Sequence, residues 1–162
     1  MYLPAMMPTA ENMMIQLLEP LDDLPYDLLL LADPSREIID SYIRNSRVYV
    51  ALIGNVRVGV YVLMPLEDNK AEVKNIAVHE TWQGRGLGKQ LLTDAAIKAR
   101  ELGFRTLVIG TGNSSVAQLY LYQRSGFEIT AIRKDFFIQH YPEPIYENGI
   151  QCKHMIMLEM PL

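Results

Sequence analysis

Glycine occupies positions 84, 86 and 88, and this alternation restricts the fold more than any other feature of the chain. It separates two runs of opposite character. Before it, Ala71 to Val78 reads as a strand. After it, Leu91, Leu92, Ala95, Ala96, Ala99 and Leu102 recur at helical spacing within Leu87 to Leu102, and Gly103 is placed to end that helix. A turn bare of Cβ atoms lets backbone N–H groups approach an anion closely. The helix start behind it adds unpaired donors and partial positive charge, and Arg85 and Lys89 add full charges. Gln83, Gly84, Arg85, Gly86, Leu87, Gly88 and Lys89 therefore form a candidate pyrophosphate cradle.

The flanking segments set the architecture. Met13 to Leu18 reads as a strand. Leu21 to Ala32 reads as a helix, with Asp22 and Asp23 near its start, where carboxylates suit the helix dipole. After Pro34 and Ser35, Arg36 to Arg44 carries Ile38, Ile39, Tyr42 and Ile43 at helical spacing. Arg47 to Ile53, the turn pair Gly54-Asn55, Val56 to Met64, the turn Glu67-Asp68-Asn69, and Ala71 to Val78 form an antiparallel meander. Thr106 to Thr111 is a short continuous apolar run, the pattern of a strand covered on both faces. With the helix before it, this makes a right-handed crossover to a parallel neighbour. Asn113 and the two serines after it are candidate caps for a helix running to Ser125. Phe127 to Phe136 and Gln151 to Met160 read as final strands joined by a long loop.

The 162 residues are 49% hydrophobic and 21% charged, a globular composition with room for a core that needs no metal or disulfide. The net charge of −4 argues against a broad nucleic-acid surface. Cys152 is the single cysteine, which points to a reducing, cytoplasmic setting and a core thiol. His79, His140 and His154 show no metal-ligand spacing, so no metal is expected. Met1 to Met14 lacks a basic n-region and is too short to span a bilayer, and the longest apolar run, Leu28 to Ala32, suits a core helix. No membrane partner is expected.

Two familiar nucleotide motifs fail on spacing. A P-loop requires glycine where Gln83 stands and Ser or Thr where Gln90 stands. The dinucleotide fingerprint requires a third glycine where Lys89 stands, counted from Gly84. Gln83 to Gly88 instead resembles the Q/R-x-x-G-x-G/A turn of the GCN5-related N-acetyltransferases, the GNAT family. Ala71 to Val78 resembles that family's fourth strand. Asn113, followed by Leu121-Tyr122-Gln123-Arg124-Ser125-Gly126-Phe127, resembles its later N…LYxxxGF signature. The three blocks stand in the family's order and spacing.

The resemblance implies an α/β fold: one domain over residues 1–162, with about 1–12 disordered. The sheet would be mixed and mostly antiparallel, with splayed central strands flanked by helices. It implies acetyl-CoA as acetyl donor, its diphosphate on the glycine turn and its pantetheine arm in the gap between the fourth and fifth strands. The backbone of Ile76, Ala77 and Val78 would pair with that arm, and the Ile76 N–H would face the reacting carbonyl oxygen. Tyr122 matches the family tyrosine near the thioester sulfur. Its alternative is simple packing on the coenzyme. Glu72 stands thirteen residues before Arg85, the offset of the general-base glutamate in the histone-acetylating branch. Strand parity puts Glu72 on one face with Lys74 and Ile76, and Val73, Asn75 and Ala77 on the other. Its alternative is a solvent-facing glutamate. Asn113 is either a coenzyme or water contact or a helix cap.

The implied reaction moves an acetyl group to an amine. Asp135 to Cys152 borders the acceptor cleft in this fold and resembles a bacterial subgroup carrying HY-x-E-x-I-x-ENGI. Tyr141 and Glu143 are its candidate acceptor residues. The competing reading of this segment is a packing or dimer element, so a homodimer stays open. The leading expectation is an N-acetyltransferase on a small amine. A noncatalytic acetyl-CoA sensor and a protein or peptide acetyltransferase are the alternatives.

Overall fold

The structure is a computed structural model describing residues 12–21 and 23–162. Strand β1 (Met13–Leu17) is followed by helices α1 (Tyr26–Ala32) and α2 (Arg36–Ile43). Strands β2 (Arg47–Ile53), β3 (Val56–Pro65) and β4 (Lys70–Val78) form the expected meander. A short 3-10 turn over Glu80–Trp82 leads to α3 (Leu87–Glu101), β5 (Thr106–Gly112), α4 (Val116–Arg124) and β6 (Glu128–Arg133). The chain ends in α5 (Phe136–His140), the hairpin strands β7 (Ile145–Glu147) and β8 (Ile150–Cys152), and β9 (Met155–Pro161).

Seven strands make one sheet in the order β1-β2-β3-β4-β5-β9-β6. All neighbours are antiparallel except β4 and β5, which are parallel as the crossover requires. Their pairing covers only Lys70↔Thr106 to Val73↔Ile109. Beyond Val73 the two strands part, which is the expected splay at the centre of a mixed, mostly antiparallel sheet. Leu87, Leu91, Leu92, Ala95 and Ala99 of α3 pack on one face of the sheet with Ala71, Val73, Leu107 and Ile109. Leu28 and Leu29 of α1 and Ile39, Tyr42 and Ile43 of α2 cover the other face with Val60, Val62 and Ala77.

Strand parity fails at one residue of β4. Val62 pairs with Asn75 but Leu63 pairs with Val73, so Lys74 is an extra, bulged residue. The bulge reverses the alternation. Ala71 and Val73, then Ile76 and Val78, face α3, while Ala77 faces α1 and α2. Asn75 is on the α1–α2 side, bonded to Leu29 and Tyr42. Glu72, between Ala71 and Val73, lies on that side too, not on the Ile76 face as simple alternation predicts.

Three further expectations change. The helix expected from Leu21 starts at Tyr26, because Pro25 takes the N-cap position and bars its predecessor Leu24 from helical geometry. Asp23 instead pairs with Arg57 at 3.0 Å, and Asp22 lies outside the described residues. The long loop after β6 contains α5 and a hairpin whose turn, Asn148-Gly149, has φ of 54° and 71°. Gln151 and Cys152 belong to that hairpin and not to the last strand. Apart from Asn12, the segment expected to be disordered lies outside the described residues.

Close packing between β5 and β8 gives a stability test. A Cβ on Gly112 would lie 2.4 Å from the Cys152 Sγ and 3.2 Å from the Ser115 Oγ. Gly112→Ala is expected to cost about 1–3 kcal/mol by overpacking. Cys152→Ala in the same chain should recover part of that loss. Thermal melts of the wild type, both single variants and the double variant check it, and strictly additive effects would contradict the contact.

Candidate active site

Where β4 and β5 part, a cleft of about 640 Å³ opens. One wall is Val73 to Val78 of β4, and the other is Ile109 to Gly112 of β5. Its lining includes Ile76 and Val78 from the α3 face and Asn75 and Ala77 from the α1–α2 face, so the cleft passes through the sheet. Residues 75–78 pair with β3 on one edge only, and their other edge meets the gap.

The glycine turn closes one end. Gln83, Gly84, Gly86, Leu87, Gly88 and Lys89 all line the cleft. Gly86 is the N-cap of α3 at φ 79°, and no side chain caps the helix. The N–H groups of its first turn therefore lack intrahelical partners. A Cβ on Gly84 or Gly86 would enter space with no atom within 4 Å. The result is a bare, electropositive concavity of the kind that takes a phosphate. Gln83 donates from Nε2 to the Val78 carbonyl, tying the turn to β4. Arg85 is turned elsewhere: its guanidinium lies 4.8 Å from the Trp82 ring centre and is not part of the lining.

Tyr122, on the buried side of α4, lines the cleft and packs on Phe127 with ring centres 6.2 Å apart. Burial alone pushes its phenol well above the ordinary value. Glu72 is buried but absent from the lining. It lies near Tyr42. Burial pushes the Tyr42 phenol up, the Asn75 hydrogen bond opposes this, and the Asp33 and Glu72 carboxylates add to it. Asn75 holds the bulge in place by donating from Nδ2 to the Leu29 carbonyl at 3.0 Å and to the Tyr42 hydroxyl at 3.1 Å.

Asn113 neither caps α4 nor lines the cleft. Ser115 is the N-cap residue. The Asn113 Oδ1 accepts from the N–H groups of Lys153 and His154, and its Nδ2 donates to the Gln151 carbonyl. It clamps the end of β8 to the end of β5. Asn113→Ala is expected to lower stability by about 0.5–1.5 kcal/mol, the net contribution of an ordinary hydrogen bond between exposed or half-buried groups. Coenzyme affinity should stay within twofold, to about the precision of one calorimetric titration. Denaturant melts and calorimetry separate the two effects.

At the other end stand Asp33, which caps the end of α1, and Tyr141, which follows α5. The Tyr141 hydroxyl donates to the Asp33 Oδ1 at 2.9 Å. Glu143, between Pro142 and Pro144, is exposed and outside the lining. The hairpin places Glu147 in the cleft instead, accepting from the Ser115 Oγ at 3.1 Å. Cys152, Phe137, Gly110 and Gly112 are lining residues that the sequence reading missed. The available signal was Asn148-Gly149, which folds residues 145–152 back over β5. Among the described residues no group of His, Cys, Asp or Glu is arranged to hold a metal, and no helix is long and apolar enough to cross a membrane.

This geometry agrees with comparisons to known proteins. Residues 44–129 match the acetyltransferase (GNAT) domain model. The chain is 51% identical over 152 residues to the N-acetyltransferase YvbK of Bacillus subtilis (strain 168), covering 94% of this chain and 98% of that one. A GNAT family acetyltransferase from Elizabethkingia anophelis, solved with acetyl-CoA bound, is 53% identical with a TM-score of 0.92, over 94% of this chain and 99% of that one. An "IAA acetyltransferase" from Bacillus cereus ATCC 14579 is 47% identical with a TM-score of 0.90, over 93% and 99% of the two chains. With its split sheet, its uncapped helix behind alternating glycines and these matches, the chain belongs to the GNAT acetyltransferase family.

Proposed function

We propose that the chain is an acetyl-CoA-dependent N-acetyltransferase, one domain over residues 1–162, that acts in the cytoplasm on an amine of a small molecule. One observation carries this reading: the uncapped start of α3 stands at the mouth of a gap between parallel strands, both built by this chain. The cradle at Gly84 and Gly86 fits a diphosphate, and the similar Elizabethkingia protein was crystallised with acetyl-CoA.

Acetyl-CoA supplies the activated acetyl carbon as a thioester. The first-turn N–H groups of α3 and the Lys89 ammonium hold the diphosphate. The free edge of Ile76, Ala77 and Val78 pairs with an extended amide-bearing arm, as an added strand would. The Ile76 N–H is the donor for negative charge developing on the carbonyl oxygen. The amine attacks directly: the new C–N bond forms and the C–S bond breaks. The ammonium proton leaves through water. Tyr122 hydrogen-bonds the departing sulfur and supplies its proton, then regains one from solvent. Its raised pKa keeps the phenol protonated until that moment. Glu72 lies outside the cleft lining, near Tyr42, so it acts as a remote base at most.

The test is thiol release from acetyl-CoA with monoamines, polyamines, amino acids, aminoglycosides and peptides. Release with small amines supports the reading. Release with peptides alone would favour a protein acceptor. Tight binding of acetyl-CoA without release would favour a sensor.

A further inference from the structure

The end of the cleft away from the glycine turn carries a fixed carboxylate that nothing above uses. Asp33 ends α1 and lines the cleft. Its Oδ1 accepts twice, from the Tyr141 hydroxyl at 2.9 Å and from the Ser35 N–H at 3.1 Å. Its Oδ2 has no hydrogen-bond partner among the described residues. The bond joins segments 108 positions apart in the chain, and both residues line the cleft. Burial, and then the Asp33 carboxylate, push the Tyr141 phenol up, so it stays a donor.

Position adds to the argument. Asn75, whose neighbour Ile76 faces the reacting carbonyl on the proposed reading, is bonded to the Leu29 carbonyl. Asp33 stands one helical turn beyond Leu29, about 6 Å along α1. Leu31, Ile38 and Phe137 line the same end of the cleft, surfaces suited to methylene groups. Around Tyr42 stand the Asp33 and Glu72 carboxylates and the Lys74 ammonium, whose Nζ is 5.6 Å from the ring centre. Lys74 forms no ion pair among the described residues. A carboxylate held rigid by two donors, with one oxygen open and an apolar path to the reaction centre, is a receptor for a positive charge that is not itself acylated.

We propose that the Asp33–Tyr141 pair reads a second protonated nitrogen of the acceptor, so that the preferred acceptors are slender aliphatic diamines or polyamines. This rests on the cleft being an acetyltransferase site. The acylated nitrogen lies against β4, and the distal ammonium donates to the Asp33 Oδ2.

The test compares butane-1,4-diamine, butylamine, ornithine and a short peptide by thiol release from acetyl-CoA. The wild-type protein should favour the diamine over the monoamine by at least about tenfold in kcat/KM, the least expected from one hydrogen bond to a charged group. Asp33→Asn should abolish that preference by lowering kcat/KM for the diamine, with the acetyl-CoA Kd shifted by less than about threefold. Tyr141→Phe, which removes only the bridge, should reduce the preference in part, with native circular dichroism. Equal rates for diamine and monoamine, a preference that survives Asp33→Asn, or better use of ornithine or peptide would overturn the inference and leave the acetyltransferase reading standing. No release with any amine would overturn that reading and this inference with it.

Discussion

Gly86→Val is expected to weaken acetyl-CoA binding about a hundredfold, through two contributions of similar size. Gly86 sits at φ 79° at the start of α3. A side chain there costs about 1–2 kcal/mol in left-handed backbone, and more for a β-branched residue. The turn then relaxes, and binding must force it back. The new side chain also fills the space that is open in front of Gly86. That displaces a phosphate from donors worth about 1.5–3 kcal/mol per charge-assisted bond. Together these come to about 2.5 kcal/mol or more, so about a hundredfold is the expectation from the lower end of both ranges. Calorimetry with acetyl-CoA measures it directly. Gly86→Ala should fall between the wild type and Gly86→Val. An unchanged Kd in a natively folded Gly86→Val variant would remove the phosphate cradle from the proposed mechanism.

Tyr122→Phe is expected to lower kcat by about two orders of magnitude or more, the usual range for a positioned general acid. The acetyl-CoA Kd should shift by less than about threefold, because the ring and its contact with Phe127 remain. A loss in kcat and kcat/KM together marks an interaction made only as the C–S bond breaks. The pH profile is a second readout. Burial raises the Tyr122 pKa, so its acid form persists to higher pH than that of a free phenol. Turnover should rise as the acceptor amine loses its proton, with no alkaline fall from Tyr122 below about pH 10. A Tyr122→Phe enzyme with normal kcat and a weakened Kd would make the residue a packing surface only.

What the chain discloses in one dimension depends on the range of the physics. The meander, the crossover and the α3 stripe are local patterns, and β2 and α2 fall where a Val-, Tyr- and Ile-rich run and helical spacing put them. The glycine turn was legible because missing Cβ atoms are visible in the sequence itself. Features set by tertiary contact were not legible. The bulge at Lys74 comes from pairing with β3, and it moved Glu72 to the α1–α2 face. Asn113 carries the residue type of a cap, yet its amide serves chain ends that are distant in sequence. Glu143 and Glu147 look equivalent in a loop. Only the hairpin, with its turn at Asn148-Gly149, decides which one enters the cleft. The late start of α1 is different in kind, because Pro25 was in plain view and a local rule was enough to place it.

The surplus residue in β4 works as a phase shift. Upstream, odd-numbered side chains such as Val73 meet α3; downstream, even-numbered ones such as Ile76 do. Drawing Lys74 into a regular ladder would leave every residue identity intact and still send Ile76 and Val78 toward α1, and Asn75 toward α3. The chemistry of that wall is therefore encoded by which residue is left out of the pairing as much as by which residues are present. A graft of this strand into another scaffold has to keep Lys74 out of register, or it delivers the right letters to the wrong rooms.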